Sequence, residues 1–520
     1  MRNTTELQNT TCRRYVLDTL YGVIYFPDYI WDVLFIPEMQ RLRELRLYNI
    51  NSLCFTGGAN INRYEHALGT CYLALKCVQS HPGSIPIKEQ QLIILAALFH
   101  DLYNAAFGHS LEYIEDFSPA DMFYSAIMGH HYDSYQYKHA SFEPIYFGMC
   151  GALTRTLLDR LQLIESDIAK IGAYIRGEDE YGVLINGSMD LDNIDNVYRM
   201  SYHMGLTTDT RTPLLLAQSI WAHDRKLFIE DDALPLVDQW ITLRKRLYKF
   251  LLLNPDDFSA KYMLTEALEQ SKVDDKHPFA WYDTDFQLME KLSKSSSAVS
   301  NIVSRLMTGS VYGCFGIYST SNTEIFKTLS NPAARGSLEN ELTRTLRPEV
   351  TMRVSDFSVA DQKSIKGIRG ISYDNNTLIL KMTHDIKKET MNSLLNVPLL
   401  RHRQMIREMH LNLRNKFFAF KLRSPVLGLH SILDVNRTER QVTLNLNSGK
   451  VIVLGRSSCR LFIGVFIKNK EFANFNLDDN TVLVANTVLN IKGEIRNFFI
   501  RAFGNEDIQE IPLYSEVEYA

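Results

Sequence analysis

The longest uninterrupted apolar run in the chain, Leu92 to Phe99 in "QLIILAALFHD", ends directly in His100 and Asp101. The wider stretch "KEQQLIILAALFHDLYNAAF" reads as one helix, apolar on most sides and therefore packed at the centre of a helical domain. A central helix ending in a His-Asp pair has a bland explanation, two polar residues at a rim. The dipeptide also recurs at His223-Asp224 and His384-Asp385, so alone it is a weak signal.

The surrounding pattern is helical from about Tyr15 to Leu306. "RYEHALGTCYLALKCV" places apolar residues three and four apart, and "HPGSIP" breaks it with two prolines and a glycine. "LTRTLLDRLQLIESDIAKIGAYI", "DQWITLRKRLYKFLLL" and "SAKYMLTEALEQS" are further amphipathic segments, and "SKSSSAVSN" reads as a helix start or a short loop. After about residue 350 the composition shifts. "NTLILKM", "RQVTLNLNSGKVIVLG", "RLFIGVFIKN" and "TVLVANTVLNI" are rich in Val, Ile, Leu and Thr, and Asn447-Ser448-Gly449-Lys450 is a hairpin signal. Arg401 to Arg423 is locally basic, a solvated helix face or a phosphate-binding one. The expected class is mainly α: a helical core with its extension over 1–310, and a C-terminal α+β region over 311–520 with a regulatory or oligomerisation role.

Composition narrows the setting. In 520 residues there is room for two to four domains, and 45% apolar and 22% charged residues are ordinary for a globular chain. A formal charge of −4 excludes a global nucleic-acid sleeve or polybasic membrane surface. The apolar run is far short of a membrane span, and the N-terminus has no apolar signal region. Seven scattered cysteines without a C-x-x-C spacing read as reduced thiols, without a zinc knuckle, and point to the cytoplasm.

Chemistry enters with three separated segments. His66 lies in "NRYEHALG", His100 and Asp101 end the apolar run, and Asp190, Asp192 and Asp195 cluster in "SMDLDNIDNVYRMSYHMGL". A divalent cation takes imidazole nitrogens and carboxylate oxygens brought together from separate helices. His66, His100, Asp101 and one later Asp supply such a set and leave positions for water and a phosphate oxygen, which is the arrangement of metal-assisted hydrolysis. Asp190 has a structural alternative as a helix N-cap.

These residues, in this order, resemble the H…HD…D signature of the HD-domain phosphohydrolases. "PEMQRLRELRLYNI" followed by "NRYEHALG", then "LFHDLYNAAFGHSLE" and "DLDNIDNVYRMSYHMG", is similar to the deoxynucleoside triphosphate triphosphohydrolase branch, and "LRKRLYKFLLLNPDDFSAKYMLTEAL" resembles the helix segment that follows there. The resemblance spans roughly the first three hundred residues. It implies an HD-type helical core and one divalent ion per chain (Mn, Mg, Fe, Ni or Zn) held by His66, His100, Asp101 and Asp192. It implies phosphate contacts from Arg63 and Arg199, with Asn193 at a further substrate-binding position. It implies catalytic positions at Asn104, His109 and, more loosely placed, His139, where Ala140 replaces a usual Glu. His223 and His384 fall outside the motif order and are read as surface residues.

The departures bear on substrate. Asn104 stands where a catalytic histidine is usual, Asn193 replaces a Lys or Arg, Asn196 a tyrosine and Met200 a sugar-binding aspartate, while Tyr48 stands near an expected glutamine. Tyr103 is a bulky phenol expected to narrow the pocket beside the metal. The resemblance therefore implies a metal-dependent phosphohydrolase acting on a nucleotide or other phosphorylated substrate, a (d)NTP triphosphohydrolase in the first instance. The alternatives are an HD-type nuclease, with nucleic acid as substrate, and a catalytically weak nucleotide-sensing module. A homo-oligomer and no membrane association are expected.

Overall fold

In the computed structural model the apolar run forms a helix over Ile87–Phe99, and every residue from Leu92 to Phe99 is buried. The structure describes residues 14–48, 60–108, 152–187, 189–274, 283–320, 331–345, 351–353, 419–421, 427–433, 441–456, 461–467, 482–504 and 508–511, with a few single positions between them. The fold is mainly helical with a few small sheets.

The chain opens with an antiparallel hairpin, β1 (Val16–Asp18) and β2 (Gly22–Ile24), followed by helices α1 (Asp28–Leu34) and α2 (Pro37–Arg41). The long helix α3 (Arg63–Ser80) starts where the Asn62 side chain accepts a hydrogen bond from the Glu65 amide. Helix α4 (Ile87–Phe99) packs along α3. Helices α5 (Glu165–Ile175), α6 (Leu191–His203) and α7 (Thr212–Ser219) follow, α5 against α4, and α6 and α7 against α3. α6 begins at Asp190, whose carboxylate accepts from the Asn193 amide, so the N-cap alternative for Asp190 holds.

The central helix ends earlier than the hydrophobic pattern predicts. α4 stops at Phe99 because the His100 ring turns back onto the Ala97 carbonyl, and the chain then winds through turns to Phe107 and Gly108, both at positive φ (54° and 49°). The Phe107 amide is held by the Asp285 carboxylate at 2.8 Å. The amphipathic stretch over 153–175 is not one continuous helix: it breaks after Arg160, and Gln162 (φ 52°) separates it from α5.

The chain divides into two compact units. The first comprises Met1–Leu253, Lys261–Met307 and Thr438–Ser457. It includes the hairpin β3 (Ile220–His223) and β4 (Lys226–Ile229), whose turn residues Asp224 and Arg225 have positive φ and leave His223 exposed. The predicted hairpin at Asn447–Lys450 forms, and its first strand pairs in parallel with β4, which places this C-terminal segment in the first unit. The second unit comprises Asn254–Ala260, Thr308–Arg437 and Ser458–Ala520. Its core gathers Tyr318, Ile463 and Val465 from strands with Leu342, Ile495, Phe498 and Phe499 from helices. One prediction fails here: "TVLVANTVLNI", read as strand-like, is the start of a helix over Val482–Phe503. Three- and four-residue spacing of Ile495, Phe498 and Phe499 buries one face of it, and that packing overrides the β-branched composition. "NTLILKM" and most of the basic segment Arg401–Arg423 lie outside the described residues.

Candidate metal centre

His66 sits in the second turn of α3 and His100 directly after α4, while Asp192 lies in the first turn of α6. The close approach of α3 and α6 depends on Gly69: a Cβ there would fall 2.0 Å from Asp195 Oδ1 and 2.2 Å from Arg199 Nη2. The ring nitrogens and carboxylate oxygens of His66, His100 and Asp101 lie within 4.8 Å of one another and could hold a metal ion. Asp192 Oδ1 is 2.9 Å from His66 Nε2 and 3.6 Å from His100 Nε2. Asp101 Oδ2 is 3.9 Å and 3.7 Å from the same two nitrogens.

The tautomers follow from the partners. His66 Nδ1 lies 2.7 Å from the Asp195 carboxylate and His100 Nδ1 lies 2.8 Å from the Ala97 carbonyl; both partners only accept, so both Nδ1 atoms carry hydrogen. The two Nε2 atoms then face each other across 3.1 Å, beside two carboxylates. Positive charge between them, a proton on an imidazole or a bound metal ion, relieves this arrangement. A nitrogen separation of this size suits adjacent ligands around an ion with bonds of about 2.1 Å. The imidazole-to-carboxylate and imidazole-to-carbonyl bonds are the outer contacts that orient metal-binding histidines.

The electrostatics agree. Burial alone would push His66 down, but hydrogen bonds to Asp192 and Asp195 outweigh it and lift the imidazole to about 10. Burial acts the same way on His100 and is outweighed by the Asp101 and Asp192 charges, which raise it. Burial would raise Asp192, yet the two histidines hold it far below the usual carboxylate range. Asp101 is also held down, its burial countered first by Arg63. Asp190, by contrast, is pushed up to about 7 by burial and by Asp192. Positive charge is demanded at one point, by protons or by a metal.

A family model for the HD domain matches residues 63–199, a span that contains all four expected ligands. Residues 63–199 are an HD domain. A deoxynucleoside triphosphate triphosphohydrolase SAMHD1 homolog of Dictyostelium discoideum is 25% identical over 286 residues, 52% of this chain and 51% of its own. The chain spans about half the length of the curated relatives it matches. Among solved structures, a hypothetical protein from Aquifex aeolicus has a TM-score of 0.54 at 14% identity, covering 93% of this chain and 100% of its own. A phosphohydrolase from Bacteroides thetaiotaomicron has a TM-score of 0.51 at 12% identity, covering 88% and 100%. At these identities the two structures support the fold.

Within the HD domain the structure brings Arg63 and Asn104 to the predicted ligands. Both donate to Asp101, Arg63 Nη1 to Oδ2 and Asn104 Nδ2 to Oδ1, each at 2.7 Å. In this arrangement the Asn104 amide is directed at the Asp101 carboxylate. Asn193 is turned back onto Asp190, with Nδ2 2.9 Å and 3.0 Å from its two oxygens. Arg199 departs most from its expected phosphate role: its side chain is fully buried and donates to Asp195, Asp18 and Glu65. Asp195, four residues earlier on the same helix, draws the guanidinium inward. Tyr103 is buried, and its ring packs edge-on against Phe123. Met200 is buried, and the Tyr48 hydroxyl donates to the Leu251 carbonyl. His109, His139 and His384 lie outside the described residues.

The residue that sequence reasoning missed is Asp195. It was visible as part of an acidic cluster, and its spacing from Asp192 and Arg199 places all three along one side of a helix. Its pairing with His66 needed the fold.

Proposed function

We propose that this chain is a metal-dependent phosphohydrolase acting on a nucleotide phosphate ester, with (d)NTP triphosphohydrolysis as its first candidate reaction. The observation that carries this is the convergence of the His66 and His100 Nε2 atoms at 3.1 Å, with Asp101 and Asp192 beside them and both Nδ1 atoms bonded from behind. A divalent ion held by these four residues would supply Lewis acidity toward a phosphoryl group and its attacking water. Arg63 stands next to Asp101 with a guanidinium suited to phosphate oxygens, and Asn104 keeps Asp101 in place. His109 and His139 are the proton-transfer candidates, on the resemblance alone. The name of the Dictyostelium relative supports a nucleotide triphosphate as the substrate class.

The sugar side of this proposal is permissive. A buried Met200 offers no hydrogen bond to a sugar hydroxyl, so this position supplies no polar contact that would favour one sugar over the other. Matched NTP and dNTP pairs are therefore expected to turn over at similar rates. A homo-oligomer, dimer or larger, also belongs to the proposal and is checked by light scattering. Among the described residues no helix is long and apolar enough to cross a membrane.

The test is incubation with Mn²⁺, Mg²⁺ or Ni²⁺ against dNTPs, NTPs and oligonucleotides, with products read by mass. Hydrolysis of a nucleoside triphosphate that disappears in Asp101→Ala and persists in His223→Ala supports the proposal. Cleavage of oligonucleotides alone would replace it with a nuclease. Nucleotide binding without any turnover would replace it with a sensing module.

A further inference from the structure

The hairpin β1–β2 has little of its own to hold it. Each strand has three residues, and a two-stranded hairpin is marginal in isolation. Leu17 and Val23 face outward, as do Tyr15 and Tyr25 beside them. Its inner side sends two polar groups into the HD domain. Asp18 Oδ1 accepts the Leu20 and Tyr21 amides at 2.9 and 2.8 Å and closes the turn, while Oδ2 accepts Arg199 Nη1 at 2.9 Å. The Tyr21 hydroxyl donates to Asp195 Oδ1 at 2.8 Å. Arg199 grips the same carboxylate with Nε on Oδ2 and Nη2 on Oδ1, at 2.9 and 3.0 Å. Asp195 Oδ2 in turn accepts His66 Nδ1–H at 2.7 Å.

Asp195 is thus fixed by donors on both oxygens. The hairpin supplies one of them directly, through Tyr21, and steadies the other, Arg199, through Asp18. The side chains of Asp18, Asp195 and Arg199 are at most 1% exposed, so water does not replace a lost contact.

We infer that Tyr21 and Asp18 are positioning residues: the N-terminal hairpin aligns Asp195, and through it the His66 imidazole, so that hairpin docking and metal loading stabilise each other. This rests on the metal site proposed above. The coupling must run both ways, because a change in metal affinity caused by the hairpin implies an equal effect of metal on the hairpin.

The experiment follows Co²⁺ binding to the full chain by its visible absorption and by chelator competition, in wild type, Tyr21→Phe and Asp18→Asn. Tyr21→Phe removes one hydroxyl and keeps the ring that packs 5.5 Å from Tyr72. Asp18→Asn keeps an oxygen for the turn amides and removes the charge facing Arg199. In wild type, hydrogen exchange at Leu20 and Tyr21 is measured with and without Co²⁺. The expected result is Co²⁺ affinity weakened about tenfold in both variants, a shifted cobalt band, and slower exchange at Leu20 and Tyr21 when the metal is bound. Unchanged affinity and cobalt spectrum in the variants, with equal exchange in wild type in both states, would overturn the coupling while leaving the metal site in place. Wild type that takes up no Co²⁺ would overturn the metal site itself. Should Asp18→Asn not fold, Tyr21→Phe and the wild-type exchange decide the matter.

Discussion

A single arginine shows how burial changes a residue's job. Arg199 follows Asp195 by one helical turn and looks like an exposed phosphate contact, but its side chain is fully buried among Asp18, Glu65 and Asp195. Three carboxylates surround one guanidinium, so removing it leaves buried negative charge uncompensated. Arg199→Met is therefore expected to destabilise the fold by about 3–5 kcal/mol, read from urea unfolding. A loss of triphosphate affinity at unchanged stability would instead restore the phosphate-binding role.

At the scale of elements, helix contact and helix ends each carry a testable energy. Gly69 allows α3 and α6 to meet, and Gly69→Ala would push a methyl into Asp195 and Arg199. A cost of at least about 1–3 kcal/mol is expected, together with weaker metal binding, since His66 and Asp192 lie on the two helices forced apart. Unfolding midpoints and a metal titration of the same variant check both. At the start of α7, the Asp209 carboxylate accepts from the amides of Arg211 and Thr212. Burial would raise its pKa, but the hydrogen bonds from Thr212 prevail and hold it below its ordinary 3.8. A folded pKa below the unfolded one means stability that is complete above the unfolded value and is lost as pH falls through the folded one. Asp209→Ala should cost about 1 kcal/mol at neutral pH, and the gap to wild type should close as pH falls below 3.8. A gap that persists in acid would exclude the ionised carboxylate as its source.

At the scale of the molecule, the four expected ligands come from α3, the turn after α4 and α6, so an ion held among them ties together three parts of the first unit. Metal at a hundred times its Kd should stabilise that unit by about 2.7 kcal/mol. Calorimetry of chelator-treated and Mn²⁺-loaded protein should show a higher melting temperature with metal, and Asp101→Ala should abolish the difference. Equal melting in the two states would mean that no ion is held in the folded protein.

The helical class and the ordered set His66, His100-Asp101 and Asp192 were legible in the sequence, because apolar spacing and short motifs are local properties of a chain. The Asn62 and Asp190 caps and the Asn447–Lys450 hairpin are local for the same reason. What needed tertiary structure was everything set by contact between distant segments. The helix over Val482–Phe503 contradicts its strand-like composition because Ile495, Phe498 and Phe499 find a core to enter. Asn104 and Arg199 carry side chains fit for phosphate, yet their hydrogen bonds go to Asp101, and to Asp18, Glu65 and Asp195. The alignment of His66 rests on Asp195, 129 positions away, and no periodicity reports that pairing. A side chain's type limits which bonds it can make; only the fold decides which partner is close enough, and dry enough, to receive them.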